Sequence, residues 1–253
     1  MTFALRSFEY WAYSYRRTWR GSLVTSVVGP VLYLSAIGVG LGTLVNRGNK
    51  LGIPYLDFVA PGILAATAMQ IATFESSYPV MAAIKWTRQF HAMLATPLRV
   101  PDLVTGHQIY IACRVAMVSA IYLVVIAAFG AVHSPLALFA VPVAIVLGLA
   151  YSAPVTAFAA WLQREEGFTA LFRFGVMPMF LFSGTFFPVT RLPVPFRQLA
   201  YATPLWNGVD LIRDLTLGTA TFWASIAHVA YLLLWAAVGA VVARRTFTRR
   251  LVT

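Results

Sequence analysis

Charged residues are scarce in this sequence, and their scarcity excludes most classes of protein. Only 11% of the 253 residues are Asp, Glu, Lys or Arg, while 60% are hydrophobic. Soluble domains average about 25% charged and about 45–50% apolar residues, so the chain is not an ordinary soluble domain. A disordered chain is excluded as well, because disorder requires low hydrophobicity. The composition predicts an integral membrane protein.

Motifs for catalysis and nucleotide binding are also missing. The two lysines, Lys50 and Lys85, do not stand in a G-x-x-x-x-G-K-[ST] motif, so the chain has no phosphate-binding loop for ATP hydrolysis. Neither H-E-x-x-H nor G-x-S-x-G occurs. The lone Cys113 excludes an intramolecular disulfide, and the dispersed histidines predict no metal site: His91, His107, His133 and His228. We therefore expect no enzyme activity and no metal or cofactor in this chain.

Basic residues outnumber acidic ones by 19 to 8, which gives a net charge of +11. They stand in short clusters between long apolar runs and form no continuous basic face, so we do not expect nucleic acid as a partner. Charged residues also crowd the first twenty positions, and the apolar stretch after them is too long for a cleavable signal peptide. The charge pattern therefore reflects membrane topology.

Six stretches are long and apolar enough to cross a bilayer, whose core of about 30 Å needs about 20 helical residues. They are Leu23–Leu44, Phe58–Ile84, Thr105–Phe129, Leu136–Leu162, Phe168–Phe187 and Phe222–Ala243. Prolines within them are compatible with this prediction, because membrane helices tolerate proline. The sequence predicts an all-α fold in which residues 1–253 form one transmembrane domain with six spans.

The orientation follows from the basic residues of the connections, because cytoplasmic loops carry an excess of Lys and Arg. With the N-terminus inside, the cytoplasmic side holds Arg6, Arg16, Arg17, Arg20, Lys85, Arg88, Arg99, Arg164, Arg244, Arg245, Arg249 and Arg250. The outer side holds Arg47, Lys50, Arg191, Arg197 and Arg213. We therefore expect both termini in the cytoplasm and the chain in the plasma (inner) membrane.

Residues 1–20 are predicted to form a helix that lies in the membrane interface. Its apolar and aromatic residues fall within about 60° of one another on a helical wheel. These residues are Ala4, Phe8, Trp11, Tyr15 and Trp19. The arginines occupy a separate arc, and this division is typical of interfacial helices.

Two connections have helical patterns of their own. The cytoplasmic connection 85–102 predicts a short helix from Trp86 to Ala95, with three apolar residues that project together: Phe90, Met93 and Leu94. They either pack on the protein's own helix ends or dock into a partner. In the outer connection 188–221, leucine, valine and isoleucine repeat at helical spacing from Leu205 to Leu215. This connection is predicted to fold back into the membrane as a re-entrant helical hairpin.

Four sequence stretches together resemble the ABC-2 family of transporter permeases. They are Phe90–Leu98 (FHAMLATPL), Gly38–Leu44 (GVGLGTL), Met177–Pro188 (MPMFLFSGTFFP) and Tyr201–Gly218 (YATPLWNGVDLIRDLTLG). The resemblance is closest to the branch that contains the nodulation exporter NodJ and the daunorubicin-type drug exporters. One departure is Trp206–Asn207, where family members often carry a histidine.

The resemblance implies a six-span permease that works as a dimer with an identical or homologous permease subunit. It also implies two separately encoded ATP-binding subunits, which would bind ATP and Mg. The connection 85–102 would be the coupling helix seated in a cleft of the ATPase, with contacts from Phe90, His91, Met93 and Leu94. The N-terminal helix would lie along the cytoplasmic interface, and the outer connection would form short re-entrant helices.

Ionisable residues within the predicted spans are candidates for function, because a charge in lipid is costly. Glu75 and Arg114 each lie about nine residues from the cytoplasmic boundary, which is roughly 13 Å at 1.5 Å per residue. They are therefore predicted to meet, either as a static pair between two spans or as part of a substrate path. Arg173 lies nearer the inner interface and would snorkel or compete for Glu75.

Further candidates lie on the outer side. The end of predicted span five holds a cluster that serves either as interfacial aromatics or as a gate: Phe182, Gly184, Phe186 and Phe187. Asp210 and Arg213 stand three residues apart and are predicted to pair on one helix turn.

The sequence therefore predicts the membrane subunit of an ATP-driven exporter for an amphipathic drug, a glycolipid or a polysaccharide-type molecule. A stand-alone secondary transporter is the first alternative, disfavoured by sparse intramembrane carboxylates and weak internal symmetry. A membrane-embedded enzyme is the second, disfavoured because no nucleophile–base or metal constellation occurs.

Overall fold

A computed structural model describes residues 2–47 and 52–252 of the chain. The fold is 83% helical, and the described residues contain no strand. The predicted all-α class is therefore confirmed.

The helices of the first half are α1 (Thr2–Arg16), α2 (Trp19–Ser35), α3 (Gly42–Arg47), α4 (Tyr55–Ser76), α5 (Tyr78–Lys85), α6 (Gln89–Leu94) and α7 (Val100–Ala128). A π-helical segment, Ala36–Leu41, joins α2 to α3 without interruption. Between α4 and α5 the chain breaks at Ser77, whose hydroxyl donates a hydrogen bond to the Phe74 carbonyl at 2.9 Å. Glu75 is the next-to-last residue of α4, two residues before this break.

The helices of the second half are α8 (Ala140–Trp161), α9 (Glu166–Ala170), α10 (Met177–Phe182), α11 (Val194–Tyr201), α12 (Pro204–Leu217) and α13 (Phe222–Leu251). A 3-10 turn, Pro135–Phe139, leads into α8, and another, Val189–Arg191, precedes α11. A π-helical segment, Leu171–Val176, joins α9 to α10, so these three pieces form one continuous helical run.

Within residues 2–47 and 52–252, four helical stretches are long and apolar enough to cross a membrane: Tyr55–Lys85, Val100–Ala128, Pro135–Trp161 and Phe222–Leu251. They correspond to the predicted spans two, three, four and six. The predicted span one lies in the helical run of α2 and α3. The predicted span five, Phe168–Phe187, overlaps the run of α9 and α10, which ends at Phe182 and is about 25 Å long at 1.5 Å per residue. These two spans, and with them the total of six, stay predictions.

Helix α8 lies at the centre of the bundle and packs against α4, α7, α12 and α13. Glycines allow the closest of these approaches. A Cβ atom at Gly239 of α13 would lie 2.5 Å from Pro154 Cδ, and one at Gly208 of α12 would lie 2.6 Å from Leu147 Cδ2. Small residues at helix crossings are typical of membrane proteins, in which close backbone packing drives association.

Helix α1 packs along α7. Gly106 of α7 allows this contact, because a Cβ atom there would lie 2.5 Å from both the Ala4 carbonyl oxygen and Ser7 Cβ. On the predicted apolar face, Ala4 and Trp11 are buried, and Phe8 and Tyr15 are partly buried. Trp19 is exposed and begins α2. That face therefore contacts the protein's own helices, and the interfacial location of α1 stays a prediction.

Both predicted connection helices form, with different bounds in one case. Helix α6 begins at Gln89 rather than at Trp86, because Arg88 has a left-handed backbone with φ of 49° that no helix continues through. In the outer connection, the repeating apolar residues are buried along one face of α12: Leu205, Val209, Ile212 and Leu215. The predicted apolar face of α12 is therefore confirmed, whereas its re-entry into a membrane stays a prediction.

Candidate functional site

The structure brings Glu75 of α4 and Arg114 of α7 together. Arg114 Nη2 lies 3.3 Å and Nε lies 3.4 Å from the same oxygen, Glu75 Oε1. Both side chains are largely withdrawn from solvent, with exposed fractions of 18% for Glu75 and 12% for Arg114. The two residues lie about the same number of residues from the same predicted membrane boundary. Because consecutive membrane helices are antiparallel, this spacing predicts that Glu75 and Arg114 meet at one depth, and their contact in the structure agrees with it.

Tyr15 at the end of α1 also contacts Arg114. The Arg114 guanidinium carbon lies 4.1 Å from the centroid of the Tyr15 ring, within the range of cation–π contacts. The Tyr15 hydroxyl lies 3.8 Å from Met117 Sδ on the same helix as Arg114. Arg114 therefore links three helices, α1, α4 and α7.

A cavity of about 880 Å³ opens beside this pair. It lies between α4, α7 and the helical run of α9 and α10. Its lining is Gln70, Ile71, Phe74, Glu75, Tyr78, Arg114, Thr169, Phe172, Arg173, Val176, Met177 and Phe180. Ligand pockets of small molecules typically measure about 300–1,000 Å³, so the cavity is large enough for a ligand.

Arg173 lies in the lining of this cavity, on the π-helical segment. Its side chain is exposed, and no ion pair joins it to Glu75 within the described ranges. The three predicted intramembrane charges therefore share one cavity, but only Glu75 and Arg114 are paired.

Phe90 of α6 is 1% exposed and packs inside the chain. Its ring lies 5.5 Å from that of Phe247 on α13 and 6.2 Å from that of Trp11 on α1. Met93 and Leu94 are partly buried against the same core. The sequence left two roles open for these residues, and Phe90 takes the first: it packs on the protein's own helix ends. The exposed face of α6 and the residues before it carries other side chains: Trp86, Arg88 and His91.

Phe90 belongs to an aromatic cluster. Its members are Trp11, Phe90, His107, Tyr110 and Phe247. The Trp11 ring lies 4.6 Å from His107 and 5.8 Å from Tyr110, both on α7. Sequence analysis missed this cluster, because its members come from four helices and no local spacing connects them.

Arg213 of α12 joins three segments of the chain. Its Nη2 donates a hydrogen bond to the Gly184 carbonyl at 2.7 Å, and its Nε donates one to the Phe58 carbonyl at 3.0 Å. Its guanidinium also lies 3.9 Å from the centroid of the Phe58 ring. Gly184 has a φ of 82°, which favours glycine, and a Cβ atom there would lie 2.9 Å from Val189 Cγ2.

The three phenylalanines around Gly184 differ in their burial. Phe186 packs edge to face on Phe180 at 5.0 Å, and its carbonyl accepts a hydrogen bond from the Tyr55 hydroxyl at 3.2 Å. Phe182 is exposed and lies 6.4 Å from Phe196. Phe187 is partly buried. A gating role for these residues stays a prediction.

Asp210 and Arg213 interact electrostatically along α12, but no salt bridge joins them among the described residues. Arg213 binds backbone carbonyls, whereas Asp210 Oδ2 lies 3.6 Å from Nε2 of His228 on α13. The other ring nitrogen of His228 lies 2.8 Å from Asn207 Oδ1. Spacing along one helix permits an ion pair, but tertiary partners on neighbouring segments compete for both groups. A second pair that sequence analysis missed joins Asp57 to His133 at 2.8 Å.

Comparisons with known proteins agree with this architecture. A model of the ABC-2 type transporter family matches residues 7–217. Nodulation protein J of Rhizobium leguminosarum bv. viciae is 32% identical over 248 residues, which cover 95% of each chain. Nodulation protein J of Rhizobium leguminosarum bv. trifolii is 34% identical over 215 residues, which cover 82% of this chain and 81% of the relative.

A third relative, nodulation protein J of Sinorhizobium fredii (strain NBRC 101917 / NGR234), is 33% identical over 217 residues, again 82% of this chain and 81% of the relative. The family match includes α6, the charged cavity and all of α12. The chain is therefore a membrane permease that belongs to the ABC-2 type transporter family.

Proposed function

We propose that the chain is the membrane subunit of an ATP-driven exporter and that a separate ATP-binding subunit, with its Mg, supplies ATP hydrolysis. The observation that carries the proposal is the position of α6. This helix of six residues is anchored by Phe90 and exposes His91, and Trp86 and Arg88 are exposed in the residues just before it. A permease without a phosphate-binding loop needs such a surface to receive motion from an ATPase.

The contacts of α6 provide a route for that motion. Phe90 contacts Trp11 and Phe247, so a displacement of α6 acts directly on α1 and α13. Trp11 contacts His107 and Tyr110 of α7, and α7 carries Arg114 at the charged cavity. Packed cores shift between discrete arrangements rather than deforming continuously, so this chain of contacts supports coupling between α6 and the cavity.

The cavity beside Glu75 and Arg114 is the proposed substrate path. Intramembrane charges that face a cavity commonly mark such paths. We propose six spans, cytoplasmic termini, the inner membrane as location, and assembly with a second permease subunit. The relatives are named for nodulation, and for this chain we propose the broader class of an amphipathic drug, a glycolipid or a polysaccharide-type molecule.

Co-purification tests this proposal. The tagged permease, extracted in mild detergent, is expected to carry an ATP-binding subunit that hydrolyses ATP. Replacing Trp86 by Ala and His91 by Asp is expected to release that subunit while the permease stays folded. Gln198→Ala, an exposed change on the predicted outer side, is the control and is expected to retain it. Retention by the Trp86/His91 variant would contradict the assignment of this surface.

A further inference from the structure

The charges that line the cavity do not cancel. Glu75 and Arg114 form an ion pair at 3.3 Å and neutralise each other. The third charged residue of the lining is Arg173. Across residues 2–47 and 52–252, Arg173 has neither an ion pair nor a hydrogen bond from its side chain. The cavity therefore carries one excess positive charge.

Arg173 stands at a position where an excess charge needs a counterion. It lies seven residues after Glu166, the first residue of α9, which is about 10 Å along a helix at 1.5 Å per residue. In the predicted span, which begins at Phe168, Arg173 lies near the inner interface, and its exposed side chain is free to take an anionic partner there. A guanidinium binds carboxylate or phosphate through two parallel hydrogen bonds, so an acidic group of a ligand supplies the missing partner.

The walls of the cavity are apolar on both sides of Arg173. Tyr78 stacks on Phe172 with ring centroids 6.5 Å apart, near the start of α5 and just after the end of α9. In the opposite direction along the helical run, the lining continues with Val176, Met177 and Phe180. A ligand that lies along this cavity meets a cation near one end and aliphatic and aromatic side chains toward the other.

The size of the cavity is sufficient for a small amphiphile. A volume of about 880 Å³ falls in the usual range for small-molecule pockets, about 300–1,000 Å³. It accommodates a single-chain amphiphile or a drug-sized molecule.

We infer that this cavity selects small amphiphiles with an acidic group, which binds Arg173 while the apolar part lies along Val176, Met177 and Phe180. The inference rests on the proposed function and names the substrate class of that path. Arg173 is then the residue that distinguishes anionic from uncharged amphiphiles, and the Glu75–Arg114 pair keeps the remaining charge of the cavity neutral.

Binding of three matched probes tests the inference. Dodecyl phosphate, dodecyl maltoside and dodecyltrimethylammonium share one chain and differ in charge. Each is titrated against the permease with its ATP-binding subunit in nanodiscs of uncharged lipid, with empty nanodiscs as the blank. Dodecyl phosphate is expected to bind at least about tenfold more tightly than the other two, a difference of about 1.4 kcal/mol.

Variants assign the preference to Arg173. Arg173→Gln is expected to remove the tenfold preference and leave dodecyl maltoside unchanged, and Arg173→Lys is expected to keep most of the preference. Arg164→Gln, an exposed change outside the cavity lining, is the control and is expected to bind as the unmodified protein does. Equal binding of all three probes, or an equal loss of all three in Arg173→Gln, would overturn the inference.

Two further readouts separate this inference from the proposed function. If dodecyl phosphate and dodecyl maltoside stimulate ATP hydrolysis equally, the result supports the exporter assignment and contradicts the charge selectivity. If the anionic preference is present but the complex hydrolyses no ATP, the cavity assignment stands and the exporter assignment falls. A spontaneous disulfide between two copies of Arg173→Cys in a Cys113→Ser background would also overturn the inference, because the second copy would then fill the cavity.

Discussion

One carboxylate oxygen of Glu75 accepts two hydrogen bonds from Arg114, at 3.3 Å from Nη2 and 3.4 Å from Nε. The pair joins α4 to α7 two residues before Ser77, where the helix is interrupted, and Tyr15 of α1 covers the guanidinium. The link therefore lies near the end of α4, beside the cavity. Motion of α4 or α7 acts on this contact and on the cavity together.

A double-mutant cycle tests whether Glu75 and Arg114 depend on each other. Removal of one partner leaves the other charged in a low-dielectric setting, which costs about 3–5 kcal/mol when a pair is buried. Glu75→Ala and Arg114→Ala are each expected to lower the free energy of unfolding measured in detergent, and the double change to recover part of the loss. Arg164→Ala serves as the exposed control.

The same cycle separates a structural role from a transport role. Recovery of both stability and transport in the double variant would assign the pair to structure. A stable but inactive double variant would assign Glu75 to the substrate path. If the stability losses of the two single variants simply add in the double variant, the two residues are not coupled, which would contradict the pair.

A single methyl group at Gly106 is expected to separate α1 from α7. A Cβ atom there would lie 2.5 Å from the Ala4 carbonyl oxygen, a distance that real Cβ atoms do not tolerate. Gly106→Ala is therefore expected to lower the melting temperature and to raise proteolysis of α1. Gly29→Ala, where nothing lies within 4 Å, is the matched control and is expected to have no such effect. Equal behaviour of the two variants would contradict the close contact of α1 and α7.

Phe90 and His91 are neighbours on α6, but Phe90 is buried and His91 is exposed. Replacing Phe90 is therefore expected to lower stability, and replacing His91 is expected to weaken association with the ATP-binding subunit. Phe90→Ala empties a buried site and is expected to cost about 3–5 kcal/mol of unfolding free energy. His91→Ala is expected to leave stability unchanged and to weaken association with the ATP-binding subunit. Thermal unfolding and co-purification measure the two effects. A stable Phe90→Ala protein that loses its ATPase would show that Phe90, rather than its exposed neighbours, contacts the partner.

Cysteine labelling in a Cys113→Ser background tests the orientation. Gln198→Cys is expected to react with an impermeant reagent from outside, and Thr87→Cys and Thr248→Cys only after the membrane is opened. All three positions are exposed in the fold, so a failure to react reports sidedness rather than burial. Gly48, another outer position by prediction, lies outside the described residues. Labelling of Thr87→Cys from outside would show that the orientation is the reverse of the predicted one and that α6 does not lie on the side of the ATP-binding subunit.

Local patterns and helix depth were predictable from the sequence. The apolar spacing from Leu205 to Leu215 identified the buried face of α12, because a helix repeats every 3.6 residues whatever surrounds it. The meeting of Glu75 and Arg114 followed from counting helical rise in two consecutive spans. Both inferences use geometry that a short stretch of chain determines by itself.

Contacts between distant segments were not predictable in this way. Phe90 is buried by Trp11 and Phe247, which come from opposite ends of the sequence. Arg213 bonds to carbonyls of Phe58 and Gly184, although spacing along α12 favoured an ion pair within the helix. Spacing within one helix shows which partners a side chain can reach on that helix. It does not show which groups on other segments will bind the same side chain in the folded protein.

Whether ATP drives movement of an amphiphile across the membrane tests the central claim most directly. The permease and its ATP-binding subunit are reconstituted into vesicles with a fluorescent single-chain amphiphile, and the fraction accessible to a membrane-impermeant quencher is followed over time. The account predicts ATP-dependent movement that ADP does not support and that an imposed proton gradient does not replace. Movement that proceeds equally without ATP, or that a proton gradient drives alone, would contradict the exporter assignment and favour a stand-alone secondary transporter.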